Sequence, residues 1–333
     1  MRLRSVACGA GVALLVAGGL VARPSSQSEP PGIGGYPVLT QEAWDRMFQE
    51  VSNWGRWGPD DQLGAVNLIT PEKRKQAAAL VETGRSVSLE HQLIETADPD
   101  VHTPFQKFNH GNKFIWETVH GGTFHSHVDA LCHFFYQGKA YNGYPREEVE
   151  DDDGCHKLGI DVWKDGFITR GVLIDMPRFK GLPWLEPGTP VTLADIEAWE
   201  EETGIEVLPG DAVFLRTGKW ARRAALGPWE VGMAGPDAGW HWSVIPWFKA
   251  RDVAIVADDG PNDVRPAGVE RGVGLPIHSA VLVALGAVIL DGQDLEAVAD
   301  LAEELNRWEF MVTGAPLNIK AGGGSSINVL ATF

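Results

Sequence analysis

Cysteine is scarce in this chain, and that scarcity limits what the protein can be. Three cysteines in 333 residues provide neither a disulfide framework nor a paired Cys-x-x-Cys metal site. Cys132 and Cys155 would remain after loss of a leader, and they could pair in an oxidising compartment if the fold brings them close. A nucleophilic role for Cys132 is the alternative because His133 adjoins it, although neighbours on a strand point to opposite faces.

Basic residues are also few. Lys and Arg number 28 against 45 Asp and Glu, which gives a formal net charge of -17. Partners such as nucleic acid or an anionic membrane need clustered Lys and Arg, so this balance argues against both. The sequence also lacks G-x-S-x-G, S-x-x-K and the glycine patterns that bind phosphates or dinucleotides. Activation of water is the chemistry that remains.

Only the N-terminus carries a long apolar run. Arg2 and Arg4 precede an uncharged run over residues 5–22, followed by a polar, proline-rich stretch. This layout is typical of a secretory signal, so residues 1–30 are predicted to be a signal peptide and polar linker. Export to a bacterial periplasm is the expectation, and an N-terminal membrane anchor is the alternative. Residues 35–333 are predicted to form one catalytic domain, without membrane association in the mature form.

The stretch His120–Pro145 holds four of the ten histidines. On an extended strand, His125, His127 and Asp129 would project from one side, and Thr123 would share that side. His133 lies one short turn further on. Two imidazoles and a carboxylate at one end of a strand are the start of a divalent-metal site. Packing a core does not require this composition, so the spacing favours a metal site over isolated structural histidines.

Secondary-structure signals alternate without a regular βαβ rhythm. Helices are predicted over 39–51, from Thr70 to near Gly84, from Thr192 to Gly204, over 279–285 and over 295–305. Short β-rich runs are predicted over 172–175, 212–216, 253–257, 287–290 and 310–313. The mixture predicts an α/β or α+β fold with a mixed sheet.

The histidine-rich stretch resembles the cyclase family that includes bacterial kynurenine formamidases and isatin hydrolase. His127, Asp129 and His133 coincide with the second His, the Asp and the last His of the motif His-x-Gly-Thr-His-x-Asp-x-Pro-x-His. Further segments that look like the longer branch of the family cover residues 53–70, 134–145, 170–176, 210–220 and 275–297. The resemblance implies a swivelling β/β/α cyclase-like fold, with a mixed sheet flanked by helices.

Three departures from the motif concern the predicted site. Thr123 replaces the first histidine, and His125-Ser126 replaces Gly-Thr. Leu131 replaces the proline. The late glutamate of relatives corresponds to Asp291, which has one methylene less of reach.

The resemblance implies a metal-dependent hydrolase that cleaves an amide, formamide or lactam C–N bond of a small, aromatic substrate with a metal-activated water. His125, His127, Asp129, His278 and Asp291 are the predicted ligands of a divalent metal, Zn or Mn. His133 is the predicted general base and acid. Trp54 and Trp57 are predicted to bind substrate, through the family's N-terminal segment. A homo-oligomer, dimer or tetramer, is the implied assembly.

Two other functions remain open. The same residues could catalyse cyclisation or isomerisation, in which no water is consumed. A non-catalytic exported binding protein of the same fold is the other, because Thr123 replaces a family histidine. A further carboxylate pair, Asp258-Asp259 before Gly260, ends a predicted strand; a turn cap is favoured there over a role behind the site.

Overall fold

The computed structural model describes residues 33–110, 113–117, 125–231 and 235–333. The predicted signal peptide over residues 1–30 lies outside the described residues, as do His120 and Thr123. Within the described ranges, no helix has both the length and the apolar character needed to cross a membrane.

The described helices are mostly short. They are α1 (Gln41–Val51), α2 (Pro71–Ala78), α3 (Arg146–Val149), α4 (Met176–Phe179), α5 (Leu193–Thr203), α6 (Lys219–Leu226), α7 (Ile245–Ala250), α8 (Pro276–His278) and α9 (Glu296–Leu305). A π-helix, Ser279–Leu285, continues directly from α8. A 3₁₀ turn, Leu131–His133, follows the fourth strand.

Nine strands form one sheet. They are β1 (Ser86–Ser88), β4 (His127–Asp129), β7 (Phe167–Asp175), β9 (Ala212–Arg216), β11 (Ile255–Asp258), β12 (Val288–Asp291), β13 (Glu309–Gly314), β14 (Gly324–Ser326) and β15 (Leu330–Thr332). Three small two-stranded sheets contain β2 (Gln106–His110), β3 (Lys113–Glu117), β5 (Glu150–Asp151), β6 (Gly154–Cys155), β8 (Pro190–Val191) and β10 (Gly239–Trp240).

The large sheet is mixed. Its order is β1-β15-β13-β7-β9-β11-β12-β4-β14. The central strands β7, β9, β11 and β12 are parallel, whereas every pairing outside them is antiparallel. With helices packed around this sheet, the predicted α/β fold with a mixed sheet is confirmed.

Three helices begin where the sequence predicted. The Oγ1 atom of Thr40 accepts the backbone N–H of Ala43, and that of Thr70 accepts the N–H of Lys73. Thr192 and Asp195 form a reciprocal capping box at the start of α5, and Gly204 ends that helix with φ +69°. Each cap satisfies backbone groups that the first or last turn leaves without an intrahelical partner.

The central strands lie in the core and end in polar residues. Every residue of β9, β11 and β12 is buried, which fits parallel strands covered on both faces. Asp175, Arg216, Asp258 and Asp291 are the last residues of β7, β9, β11 and β12. Because these strands are parallel, their charged carboxyl-terminal residues lie along the same side of the sheet. This side is where the predicted metal ligands meet.

Cys132 and Cys155 form a disulfide with a Cα–Cα distance of 6.3 Å. The bond joins the 3₁₀ turn that carries His133 to strand β6. A sulfur atom bonded in this way offers no thiolate. The alternative of Cys132 as a nucleophile is therefore wrong, and the alternative of pairing holds.

Candidate metal centre

Strand β4 presents two of the predicted ligands on one face. It lies between β12 and β14, and both pairings are antiparallel. Residues two apart on a strand project from the same face, so the side chains of His127 and Asp129 lie together. His127 is directly opposite Asp291 in the β4–β12 register. Strand pairing therefore brings together residues that are 164 positions apart in the sequence.

The side chains of His127, Asp129 and Asp291 converge. The Nε2 atom of His127 is 3.6 Å from Oδ1 of Asp129 and 3.6 Å from Oδ2 of Asp291. One ligand atom from each of the three residues lies within 4.8 Å of the other two. Asp129 and Asp291 are both buried, so their charges are removed from bulk water.

His278 completes the group from the other side. This residue ends the short helix α8, and its Nε2 atom lies 3.3 Å from Oδ2 of Asp291 and 3.7 Å from Oδ2 of Asp129. Its side chain is buried. Two imidazoles and two carboxylates from the central and C-terminal parts of the chain thus face one small volume. We call His127, Asp129, His278 and Asp291 the site cluster.

His133 lies at the mouth of the site cluster. Its Nε2 atom is 3.9 Å from Oδ2 of Asp129, and a third of its side chain is exposed. The residue also lines a cavity of about 230 Å³ with Phe134, Phe135, Arg146 and Glu150. His133 is therefore the histidine of this group with the greatest access to a solute.

His125 lies just before β4, and the structure does not bring it into the site cluster. Its Nε2 atom accepts the backbone N–H of Ile94 at 3.2 Å. Its backbone oxygen accepts a hydrogen bond from Nδ1 of His127 at 2.7 Å. A proton on Nδ1 of His127 leaves the lone pair of Nε2 directed at the carboxylates. His125 thus orients a neighbouring imidazole through its main chain, and its role as a ligand stays a prediction.

Trp54 and Trp57 make packing contacts. The indole N–H of Trp54 donates to the backbone oxygen of Val283 at 2.6 Å, and the Arg56 guanidinium lies over the Trp57 ring. Within the described part of the chain, the residues that line the cavity beside His133 include neither tryptophan. Their role in binding substrate stays a prediction.

Two residues that sequence reasoning did not select hold the site cluster from behind. Asp263 Oδ2 accepts a hydrogen bond from Nδ1 of His278 at 2.6 Å. The amide Nδ2 of Asn262 donates to Oδ1 of Asp291 at 2.6 Å. Both residues are completely buried. The only signal in the sequence was the neighbouring Asp258-Asp259 pair, interpreted as a turn cap.

Opposing effects set the protonation of the buried pair. Burial alone would lower the pKa of His278, but the carboxylates of Asp291 and Asp263 outweigh it and raise that pKa well above its usual value. Burial would raise the pKa of Asp291, but the His278 and His127 imidazoles lower it below the usual value. The two groups therefore form an imidazolium–carboxylate pair without a cation. A cation held by the site cluster would displace a proton from Nε2 of His278.

The donor set fits a divalent metal. Imidazole nitrogens and carboxylate oxygens without thiolate are the ligands typical of zinc, manganese and related ions. A divalent cation among the site cluster would replace the proton of His278 and would offset the buried charges of both Asp129 and Asp291. The predicted cofactor, a divalent metal, is thus compatible with the residues that the structure brings together; the choice between Zn and Mn stays a prediction.

Comparisons with known proteins identify the family. The family described as "Putative cyclase" matches residues 57–262. The crystal structure of a novel cyclase is 30% identical to this chain, with a TM-score of 0.74 and coverage of 86% of this chain and 99% of that chain. Among curated proteins, no match was found.

A more distant similarity concerns the fold alone. Isatin hydrolase A from Labrenzia aggregata, bound to benzyl benzoate, is 18% identical, with a TM-score of 0.51. The alignment covers 77% of this chain and 94% of that chain. The family match spans more than half of the 333 residues. This chain belongs to the cyclase family.

Proposed function

We propose that this protein is a metal-dependent hydrolase that cleaves the C–N bond of a small amide, formamide or lactam. The observation that carries the proposal is the site cluster itself, in which His127 and Asp129 of β4 meet His278 and Asp291 within 3.3–3.7 Å. Membership of the cyclase family supports a hydrolytic or cyclising enzyme.

The site cluster would hold the cation. When bound, the cation would supply Lewis acidity towards the acyl oxygen and lower the pKa of water at the site. The backbone oxygen of His125 and the carboxylate of Asp263 hold the imidazoles of His127 and His278 in orientation through their Nδ1 atoms. The chain itself then needs one group that moves protons.

His133 suits that task. It lies beside Asp129 but is partly exposed, so it can reach a substrate in the adjoining cavity. Its Nε2 would accept a proton from the attacking water and later donate it to the leaving nitrogen. The new C–O bond forms first, the C–N bond then breaks as the nitrogen is protonated, and the products together contain one added water.

The cavity beside His133 favours a small aromatic substrate. Its volume is about 230 Å³, and the rings of Phe134 and Phe135 form part of its wall. The Arg146 guanidinium lies 3.8 Å from the centroid of the Phe135 ring. Two aromatic side chains beside the Arg146–Glu150 ion pair are suited to a small aryl group that carries a polar substituent.

The test combines elemental analysis with product mass. Purified protein is assayed for bound metal and incubated with aryl formamides, lactams and lactones. We expect stoichiometric metal and products that together exceed the substrate by one water. Products of unchanged total mass would indicate cyclisation or isomerisation, and absence of both metal and turnover would indicate a binding protein.

A pair of histidine variants makes the test specific. His127→Ala should remove both metal and hydrolysis because it deletes one imidazole of the site cluster. His156→Ala is the matched control, since its exposed ring pairs with Asp151 at 2.7 Å and lies outside the site cluster. Full activity in His127→Ala would contradict the proposal.

We also propose that the protein is exported. The disulfide between Cys132 and Cys155 supports this, because such bonds persist in oxidising compartments and are rare in the cytosol. Fractionation of cells that express the full chain tests the proposal, together with a count of free thiols in the recovered protein. Recovery only from the cytosol with both thiols free would contradict it.

A further inference from the structure

The loop that follows β11 reaches both C-terminal members of the site cluster. Asp263 accepts three hydrogen bonds: Oδ1 accepts the backbone N–H of Ile277 at 2.8 Å, and Oδ2 accepts the backbone N–H of His278 at 3.1 Å and its ring Nδ1–H at 2.6 Å. One carboxylate therefore fixes both the main chain and the ring of His278.

The preceding residue acts on Asp291. The carboxamide of Asn262 donates to Oδ1 of Asp291 at 2.6 Å and to the backbone oxygen of Leu290 at 3.0 Å. With Oδ1 occupied, Oδ2 is the oxygen that faces Nε2 of His278 at 3.3 Å and Nε2 of His127 at 3.6 Å. Two adjacent side chains thus select which atoms of Asp291 and His278 face the site.

The loop is held firmly enough to do this. Oδ1 of Asp258 accepts the backbone N–H groups of Gly260 and Asn262, at 2.8 and 2.9 Å. The backbone N–H of Trp240 donates to the oxygen of Asn262 at 2.8 Å. Asn262 has φ +56°, a left-handed conformation that asparagine tolerates better than most residues. The side chains of both Asn262 and Asp263 are completely buried.

We propose that Asn262 and Asp263 are positioning residues that prepare His278 and Asp291 to bind a divalent cation. Asp263 holds the proton on Nδ1 of His278, so the lone pair of Nε2 is directed to the cation. Asn262 holds Asp291 so that Oδ2 is the oxygen presented. The inference rests on the proposed function only in requiring that the site cluster binds such a cation.

Asp259 provides a matched control in the same loop. It is completely buried like Asp263, but its carboxylate accepts the backbone N–H groups of Thr217, Gly218 and Lys219 at the start of α6, at 2.8–3.1 Å. Among the described residues, its hydrogen-bond partners lie at residues 217–219 and not in the site cluster. Substitution of Asp259 should therefore disturb the loop in general but leave His278 and Asp291 in position.

The first experiment measures affinity for Zn²⁺ by competition with a chromophoric chelator. Asp263→Asn should weaken binding by about 10- to 100-fold, because an amide offers one acceptor where three N–H groups need two. Asp259→Asn should lower resistance of the metal-free protein to urea while Zn²⁺ affinity stays within about 3-fold of the wild type. Unchanged affinity in Asp263→Asn, or an equal loss in both variants, would overturn the inference.

A second readout reports the imidazole directly. Nitrogen-15 spectra of the Zn²⁺-loaded wild type should show a slowly exchanging proton on Nδ1 of His278. In Asp263→Asn this proton loses its carboxylate acceptor, so its resonance should shift and exchange faster with water. An unmoved resonance in the folded variant would show that Asp263 does not hold this proton, and would contradict the inference.

Asn262→Gly decides the matter if Asp263→Asn does not fold. Glycine keeps the left-handed backbone and removes only the carboxamide. Asn306→Gly, at another position of positive φ (+49°), is its control. We expect Zn²⁺ affinity to fall about 10-fold in Asn262→Gly alone. Failure of the wild type to bind either Zn²⁺ or Mn²⁺ would overturn the proposed function and this inference together, whereas equal binding by every variant would overturn only the inference.

Discussion

Buried carboxylates lie at both ends of the parallel strands, and their charges are neutralised in different ways at the two ends. Asp211, just before β9, pairs with Lys73 and with Arg170, whose Nη2 is 2.7 Å from Oδ2. At the carboxyl ends of the strands, Asp129 and Asp291 instead face the imidazoles of the site cluster. Carboxylates are buried at both ends of the strands, but they pair with Lys and Arg at one end and with His at the other.

The difference fits a structural role for the Asp211 group and the proposed metal-binding role for the site cluster. Lys and Arg keep their charge near neutral pH, so the Asp211 group is permanently compensated. An imidazole can lose its proton and offer a lone pair to a metal. The site cluster can therefore exchange protons for a cation, whereas the Asp211 group cannot. In open α/β sheets, ligands bind beyond the carboxyl ends of the strands, which is where the site cluster lies.

The largest expected effect on metal binding and activity is that of substituting Asp129. Asp129→Asn should abolish metal binding and reduce hydrolysis by at least about 10³-fold, or about 4 kcal/mol. Its metal-free stability should change by no more than about 1 kcal/mol, because one buried like charge is removed. Turnover rates and urea unfolding in chelator measure both effects. Retained activity would contradict the proposed metal-binding role of the site cluster.

Asp211→Asn should give the opposite pattern. Lys73 and Arg170 would then face a neutral amide, and breaking a buried ion pair costs about 3–5 kcal/mol. Zn²⁺ affinity should not change, because Asp211 lies at the far end of the strands. Urea unfolding and chelator competition check the two statements. An equal loss of metal affinity would show that the two ends are coupled.

His241 sharpens the contrast between buried imidazoles. Burial lowers the pKa of His241 to about 4, whereas carboxylates raise that of His278. Because the unfolded state binds the proton more tightly, stability should fall as pH drops from 6.5 towards 4, by up to about 3 kcal/mol from this residue. Unfolding of wild type and His241→Gln at pH 4.5 and 7 measures it. An undiminished pH dependence in the variant would contradict the assignment.

The smallest expected effect concerns Trp54. Trp54→Phe removes the indole N–H that donates to the backbone oxygen of Val283, at a cost of about 1 kcal/mol. KM for a hydrolysed substrate should stay the same if the ring only packs. A KM that rises several-fold would support the sequence-based prediction that Trp54 binds substrate. Kinetics and urea unfolding of the same preparation give both values.

Local signals predicted much of the fold. The threonine caps of α1, α2 and α5 and the period-two spacing of His127 and Asp129 depend on residues close in sequence. Distant contacts changed other boundaries. Helix α2 ends at Ala78 rather than near Gly84. Beyond it, the backbone N–H groups of Thr83 and Gly84 donate to the oxygen of Phe333, which draws the chain to the sheet edge.

The site residues also differ in whether a local pattern in the sequence could predict them. The resemblance to the cyclase family selected His278 and Asp291, which no local pattern connects to β4. Asn262 and Asp263 were missed because their role depends on a loop conformation and on partners 14 to 29 residues away. His125 precedes the three residues of β4, so strand alternation alone does not place its side chain with His127, and its role as a ligand stays a prediction.

The register of β4 has a consequence for folding. His127 lies opposite Asp291 only in the observed pairing, and a slip of one residue would turn His127 and Asp129 to the other face. A strand of three residues has little of its own to prevent such a slip. Binding of an ion would therefore stabilise the native register of β4 against β12. During refolding, a metal-sensitive dye would report when these two strands pair in that register.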